Sequence, residues 1–243
     1  MQRYFIKEEQ IENKTVTITG SDYHHIKNVM RMREKERIVV CPNNGKAYLA
    51  EIGNFVDKSV EALIIEELTE NREMKVRVTV AMGYTKAAKQ DEVVRRLAEL
   101  GTDSFLPIFM QRSIAKATEN QAHKTARLMK IAKEACEQSQ RQRLMRIFPP
   151  VAFSDFIATS ANYGLLLYAY EEKRHDKSLK SILSEFTGNS IIVLVGPEGG
   201  ISREEAERLD RSGFRAVGLG PRILRTETAP LYIMSVLAYS TEL

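Results

Sequence analysis

The strongest constraint on this chain is a change of rhythm near residue 70. Before it, short runs with strand-like periodicity recur at residues 15–18, 37–41, 47–52 and 59–65, with the turn Pro42-Asn43-Asn44-Gly45 between the second and third. Runs of this length joined this tightly predict a small β-barrel. Between the first two, residues 21–33 open on a capping-type serine and close on basic residues, which predicts one short helix. From about residue 74 the pattern becomes strand (76–82), helix (89–100, stopped by Gly101), strand (104–110) and a long helix (119–143). Strands at 164–170, 191–195 and 216–219 follow, with helices at 203–211 and 228–241. Such alternation predicts an α/β domain with a mostly parallel sheet covered by helices. The expected domains are therefore 1–70 and 74–243, parted by a charged stretch without periodicity.

Composition agrees with this division. The chain has 243 residues, 43% hydrophobic and 28% charged, which excludes a fibre or a disordered tail and allows two cores. No apolar run nears the roughly 20 residues that cross a bilayer. The N-terminus carries acids where a secretory signal would be apolar, so no membrane association and a cytoplasmic location are expected. Cys41 and Cys136 stand far apart, which supports neither a disulfide framework nor a metal cluster, and no metal is expected. Net charge is +4, but residues 111–146 hold nine Lys/Arg against three acids, so this block is +6 and the remainder −2. A block of this kind is either a phosphate-contacting surface or a solvated helix face. Within the long helix, residues 122, 126, 129, 132 and 136 recur at helical spacing as the apolar face.

In an open parallel sheet, ligands bind beyond the carboxyl ends of the strands, and two loops there are unusual. The first is Gly196-Pro197-Glu198-Gly199-Gly200, directly after an apolar strand; it predicts a turn with positive φ angles and exposed backbone polar groups. It is either a tight connection or a ligand loop. It is not a Walker loop or a dinucleotide fingerprint, which argues against phosphoryl transfer and nicotinamide chemistry. The second runs from Gly218 to Pro230 and holds Arg222 and Arg225 three apart, with Thr226 or Glu227 leading into the last helix.

Taken with the rest of the chain, these loops resemble the SPOUT superfamily of knotted S-adenosylmethionine-dependent RNA methyltransferases. Within it, the resemblance is to the bacterial family that methylates N3 of a uridine in 16S ribosomal RNA. It is carried by Arg3-Tyr4-Phe5, His24-His25-Ile26 with Val29 to Met32, Glu99-Leu100-Gly101 leading to Pro107 and Arg112-Ser113, Glu134 to Ser139 with Arg141, and the two loops. Two departures stand out: Lys86-Ala87-Ala88 and Arg95-Arg96 replace the usual Lys-Gly-Asp and Gln-Lys, and Glu34-Lys35-Glu36 replaces a Gly-Asp turn.

The resemblance implies a PUA-like RNA-binding barrel followed by a SPOUT domain with a trefoil knot, S-adenosyl-L-methionine as cofactor, 16S rRNA or the 30S subunit as partner, and a homodimer. The dimer would use the last helix, where Ala229, Tyr232, Val236 and Ser240 form a stripe beside Ile233 and Leu237. The cofactor would be held by Leu167, Gly196, Glu198, Gly199, Leu219, Gly220, Ile223, Leu224 and Thr226. Arg225 would stabilise the charge developing on the uracil ring, with Glu198, Glu227 or water as proton acceptor. His123 and His175 lie in no matched loop. RNA contacts would fall to Arg3, His24, His25, Arg31, Arg33, Lys86, Arg96, Arg112 and Arg141. A catalytically silent RNA-binding protein of this fold, or a small-molecule enzyme with an incidental basic helix, would share these local patterns.

Overall fold

The computed structural model describes residues 1–114, 120–173 and 179–242. Lys116 and Glu119 of the basic block, the expected start of the long helix and His175 lie outside the described residues. The chain forms two compact units, Met1–Glu73 with Cys136–Leu144, and Met74–Ala135 with the residues from Met145 onward. The segment Cys136–Leu144, which sequence order assigns to the C-terminal domain, thus belongs to the first unit.

The first unit contains β1 (Arg3–Phe5), β2 (Ile11–Glu12), β3 (Thr15–Thr19), α1 (Gly20–His24), β4 (Arg37–Cys41), β5 (Ala47–Val56) and β6 (Ser59–Leu68). They form one sheet in the order β1-β4-β5-β6-β3-β2, parallel only at β1/β4. Alternate residues point inward: Val16 and Ile18, Ile38 and Val40, Ala50 and Ile52, Val60 and Ala62 are each at most 1% exposed and share a core with Tyr4 and Ile26. This is the period-two burial of a half-barrel. The helix expected at 21–33 is shorter and differently capped. It starts after Thr19, widens into a π turn over His25–Val29, and stops where Arg31 takes φ 52°.

The second unit contains β7 (Arg77–Gly83), α2 (Ala87–Glu99), β8 (Ser104–Phe109), α3 (Gln121–Gln138), β9 (Arg146–Ile147), β10 (Val151–Ala152) and α4 (Phe153–Ser160). It continues with β11 (Leu165–Ala169), α5 (Leu179–Ser184), β12 (Ser190–Val195), α6 (Arg203–Arg211), β13 (Arg215–Val217) and α7 (Ala229–Glu242). All pairings are parallel, in the order β10-β8-β7-β12-β11-β13 with β9 beside β8. The all-apolar run of β12 is explained by its central place between β7 and β11, where both faces are covered. The helices α4 and α5 and the short β9 and β10 have no clear periodicity in the sequence, being too short to show one.

Helix ends follow local chemistry. Gly101, at φ 85°, closes α2 with Thr102 N–H donating to Leu97 O at 3.0 Å and Gly101 N–H to Ala98 O at 3.2 Å, a Schellman motif. The same motif closes α3 with Gln140 at φ 60°, where Arg141 N–H donates to Cys136 O at 2.9 Å, so the helix ends five residues before the expected Arg143. The expected apolar face of α3 is also rotated. Met129 is 51% exposed and Ala122 and Ala126 are exposed, while Thr125, Leu128, Ala132, Ala135 and Cys136 are buried. In an alanine-rich helix several faces are comparably apolar, and only the neighbours choose among them.

Candidate active site

The loops after β11, β12 and β13 meet at the carboxyl end of the parallel sheet and line a cavity of about 520 Å³. Of the expected cofactor and catalytic residues, Gly196, Glu198, Gly199, Leu219, Gly220, Ile223, Leu224, Arg225, Thr226 and Glu227 all line it. The β12 and β13 loops are joined directly, because the buried Thr226 hydroxyl donates to the Gly196 carbonyl at 2.6 Å.

The glycines serve two purposes. Gly200 has φ 72° and turns the chain, its N–H donating to Pro197 O at 2.8 Å. Gly199 is needed for close approach: a Cβ there would lie 2.8 Å from Arg112 Cβ. Of the positive φ angles expected in this turn, that of Gly200 is the one observed. The loop then enters α6 through a capping box. Ser202 Oγ accepts from Glu205 N–H at 3.2 Å, and Glu205 Oε2 accepts from Ser202 N–H at 2.9 Å. The other Glu205 oxygen accepts from Gln111 N–H at 2.8 Å, and Arg112 Nη1 donates to Gly199 O at 3.2 Å. These bonds pin the segment after β8 against the β12 loop.

Charge is unevenly placed around the cavity. Lys89 Nζ lies 3.3 Å from Glu198 Oε1 and 3.2 Å from Glu227 Oε2, and both carboxylates are about one-fifth exposed. Burial pushes the Glu227 carboxyl up, but its own backbone N–H, Lys89 and Arg225 outweigh this and hold it below the usual carboxylate range. Burial likewise opposes the charge on Lys89, while the two glutamates raise its pKa above the ordinary lysine value. Arg225 is only loosely paired, 4.0 Å from Glu227 Oε1, and its side chain is 86% exposed at the rim. Ile223, another rim residue, is 71% exposed.

Three expected site residues are placed elsewhere. Leu167 does not line the cavity: it is fully buried in the middle of β11, and it is Ala169 and Tyr170 at the strand end that reach the site. Arg3 and Arg141 are buried in the first unit rather than presented to RNA. Arg3 Nη1 donates to Arg141 O at 2.9 Å, and Arg141 pairs with Glu73 at 2.7 Å. An arginine buried inside a core cannot reach a phosphate on an RNA backbone. The remaining RNA candidates are at the surface. In the first unit His24, Arg31 and Arg33 are exposed, and His25 is half-buried with Nδ1 3.0 Å from the Tyr4 hydroxyl. In the second unit Lys86, Arg96 and Arg112 are exposed, Arg96 pairing with Glu99 at 3.0 Å. Arg112 also lines the cavity. His123 is exposed on α3 and does not line it.

A model of an RNA methyltransferase domain matches residues 72–238, and a model of an RNA methyltransferase PUA domain matches residues 18–65. The chain is 39% identical, over 100% of its own length and 98% of the relative's, to ribosomal RNA small subunit methyltransferase E of Bacillus subtilis. This chain belongs to the ribosomal RNA small subunit methyltransferase E family. A second member, from Aquifex aeolicus, is 34% identical over 96% of this chain and 97% of that one. A crystal structure of the Neisseria gonorrhoeae enzyme of this name, bound to S-adenosyl methionine, superposes with a TM-score of 0.89 at 28% identity, covering 98% of this chain and 97% of that chain. The family's architecture is the one expected, a PUA-like domain followed by a SPOUT-type parallel sheet.

Among the cavity-wall residues that sequence reasoning missed are Lys89, Tyr170 and Arg203. The carboxylate partners of Lys89 lie far downstream, so no local pattern marks it.

Proposed function

We propose that this chain transfers the methyl group of S-adenosyl-L-methionine to N3 of one uridine in 16S ribosomal RNA, acting as a homodimer in the cytoplasm. The single observation that carries this reading is the cavity closed by the Thr226–Gly196 bond, with a loosely paired, exposed arginine at its rim.

The cavity wall suits the cofactor. Gly220 has φ 99° and its Cα face is open, so main-chain groups of the β13 loop can approach a ligand closely. Ile223 is a large apolar side chain that the chain leaves uncovered, and a flat heteroaromatic ring would cover it. Gly196, Gly199, Leu219, Gly220, Leu224 and Thr226 would hold the remainder. When bound, S-adenosylmethionine supplies an electrophilic methyl group on a sulfonium.

The protein must then favour a uracil ring that has lost its N3 proton, with negative charge shared by N3, O2 and O4. Arg225 suits this task, since a guanidinium stays protonated and its exposed donors are free to reach a base. Glu227 is held ionised and is a weakened base, and Glu198 shares the same lysine; either carboxylate, or solvent, is left to take the N3 proton. The target base must be unpaired or flipped, at a cost of about a few kcal/mol. His24, Arg31 and Arg33 on the PUA-like unit, and Lys86, Arg96 and Arg112 on the catalytic unit, would contact the RNA backbone. The exposed Tyr232 and Tyr239 of α7 support a second copy covering that helix.

The test is primer extension across 16S rRNA from cells lacking the protein. N3 methylation blocks pairing and stops reverse transcriptase, so the stop should vanish without the protein and return with it; a stop that persists refutes the reading. Calorimetry with S-adenosylmethionine separates this enzyme from a silent RNA-binding relative, which would bind RNA in a salt-dependent way but not the cofactor.

A further inference from the structure

Lys89 sits in the first turn of α2, and among the described residues it is the one α2 side chain on the cavity wall. Its ammonium bridges two carboxylates from different loops, Glu198 after β12 at 3.3 Å and Glu227 before α7 at 3.2 Å. The neighbouring acid on α2 does not compete, because Asp91 is held by Arg127 at 2.7 Å. Two carboxylates converging on one point repel each other unless a cation stands between them.

The same arrangement decides what Arg225 can do. Arg225 is the other cation near Glu227, at 4.0 Å from Oε1. With Lys89 3.2 Å from Oε2, Glu227 already has a cation beside it, and Arg225 stays 86% exposed at the rim. Without Lys89, Glu227 would draw Arg225 inward and away from the rim.

We propose that Lys89 is a positioning residue of the methyl-transfer site: it ties the β12 and β13 loops together through Glu198 and Glu227 and leaves Arg225 available to the substrate. The part concerning Arg225 rests on the methyltransferase reading above; the tie between loops does not. The role is exerted through the two glutamates.

The experiment compares wild type with Lys89→Met, Lys89→Arg and the double variant Lys89→Met/Glu198→Gln. Three readouts are taken: melting temperature without ligand, S-adenosylmethionine affinity by calorimetry, and kcat and KM for methyl transfer. Lys89→Met keeps the length of the side chain, so pure packing is preserved. Its melting point should fall by about 2–4 °C. Cofactor affinity should fall about tenfold, between the small effect of an exposed pair and the large effect of a buried one. The loss in kcat should exceed any change in KM for RNA. Lys89→Arg should regain most of the melting point and the affinity by restoring the cation, and the double variant should regain most of the ligand-free melting point by removing one of the repelling anions. Wild-type values in Lys89→Met, or no recovery in the double variant, would overturn the proposal. If wild type binds no S-adenosylmethionine, the methyltransferase reading fails instead, and the ligand-free melting points still decide whether Lys89 ties the loops.

Discussion

The Thr226 hydroxyl donates to the Gly196 carbonyl at 2.6 Å, across 30 residues of chain, and this bond fastens the loop after β13 to the loop after β12. Thr226→Val keeps the branched shape but leaves a carbonyl without its donor, in a place where Thr226 is only 8% exposed. An unsatisfied buried acceptor costs about 1–3 kcal/mol. The expected outcome is a lower melting temperature together with weaker S-adenosylmethionine binding, both recovered by Thr226→Ser. Thermal melts and calorimetry on the same preparations check it.

Arg225 should behave in the opposite way. Its side chain is 86% exposed and only loosely paired, so Arg225→Ala should leave the melting temperature and cofactor affinity near wild type. Turnover should fall by about 10²–10³, the usual effect of removing one preorganised donor to a developing anion. Methyl incorporation into 16S rRNA measures the turnover. An equal loss of affinity would mean that Arg225 builds the cavity instead.

Gly83 lies at the end of β7, outside the cavity, yet it positions the β12 loop. A Cβ at this residue would lie 2.3 Å from the Pro197 nitrogen, which is backbone and cannot swing away. Gly83→Ala should therefore cost about 1–3 kcal/mol of stability and weaken cofactor binding without altering any lining residue. Chemical denaturation and calorimetry report the two effects.

In the first unit, Glu73 accepts hydrogen bonds from Arg141 Nη2 at 2.7 Å and from the Gln142 and Arg143 backbone N–H groups at 2.7 and 3.0 Å. The Arg141 side chain is 4% exposed and that of Glu73 12%. Removing one partner leaves the other charge buried, so Arg141→Met should destabilise by about 3–5 kcal/mol. The midpoint of urea unfolding measures it. Since Arg141 is not at the surface, a loss of RNA affinity in this variant should follow the loss of folded protein.

Burial pushes the Cys41 thiol up to about 11, although Arg3 beside it pulls the other way. At pH 8 the folded protein should therefore react with a thiol reagent far more slowly at Cys41 than the unfolded protein does. The linkage has a definite sign. Between pH 9 and about 11 the unfolded thiol has ionised while the folded one keeps its proton, so this group lowers stability as pH rises through that window. Labelling with and without denaturant, and melts from pH 8 to about 11 compared with Cys41→Ala, test both statements.

Local patterns were enough for most of the elements and for the two loops that line the cavity. The period-two runs became β3 to β6, the apolar run at Ile191–Val195 became a central strand, and Gly101 stopped α2 where expected. The two glycine-proline loops met at the carboxyl end of the sheet, because strand periodicity, helix stops and turn residues are written within a few neighbouring positions. What the sequence left open was which groups share a core or a charge. Arg3 and Arg141 look like surface cations in a list of residues and are buried together; Met129 looks like core and is exposed; Lys89 carries no mark and stands between two glutamates. Each of these depends on segments far apart in the chain being brought side by side. The parallel order β7-β12-β11-β13 and the folding-back of residues 136–144 set those distances, and pairwise charge and packing energies depend on distance in space, not along the chain.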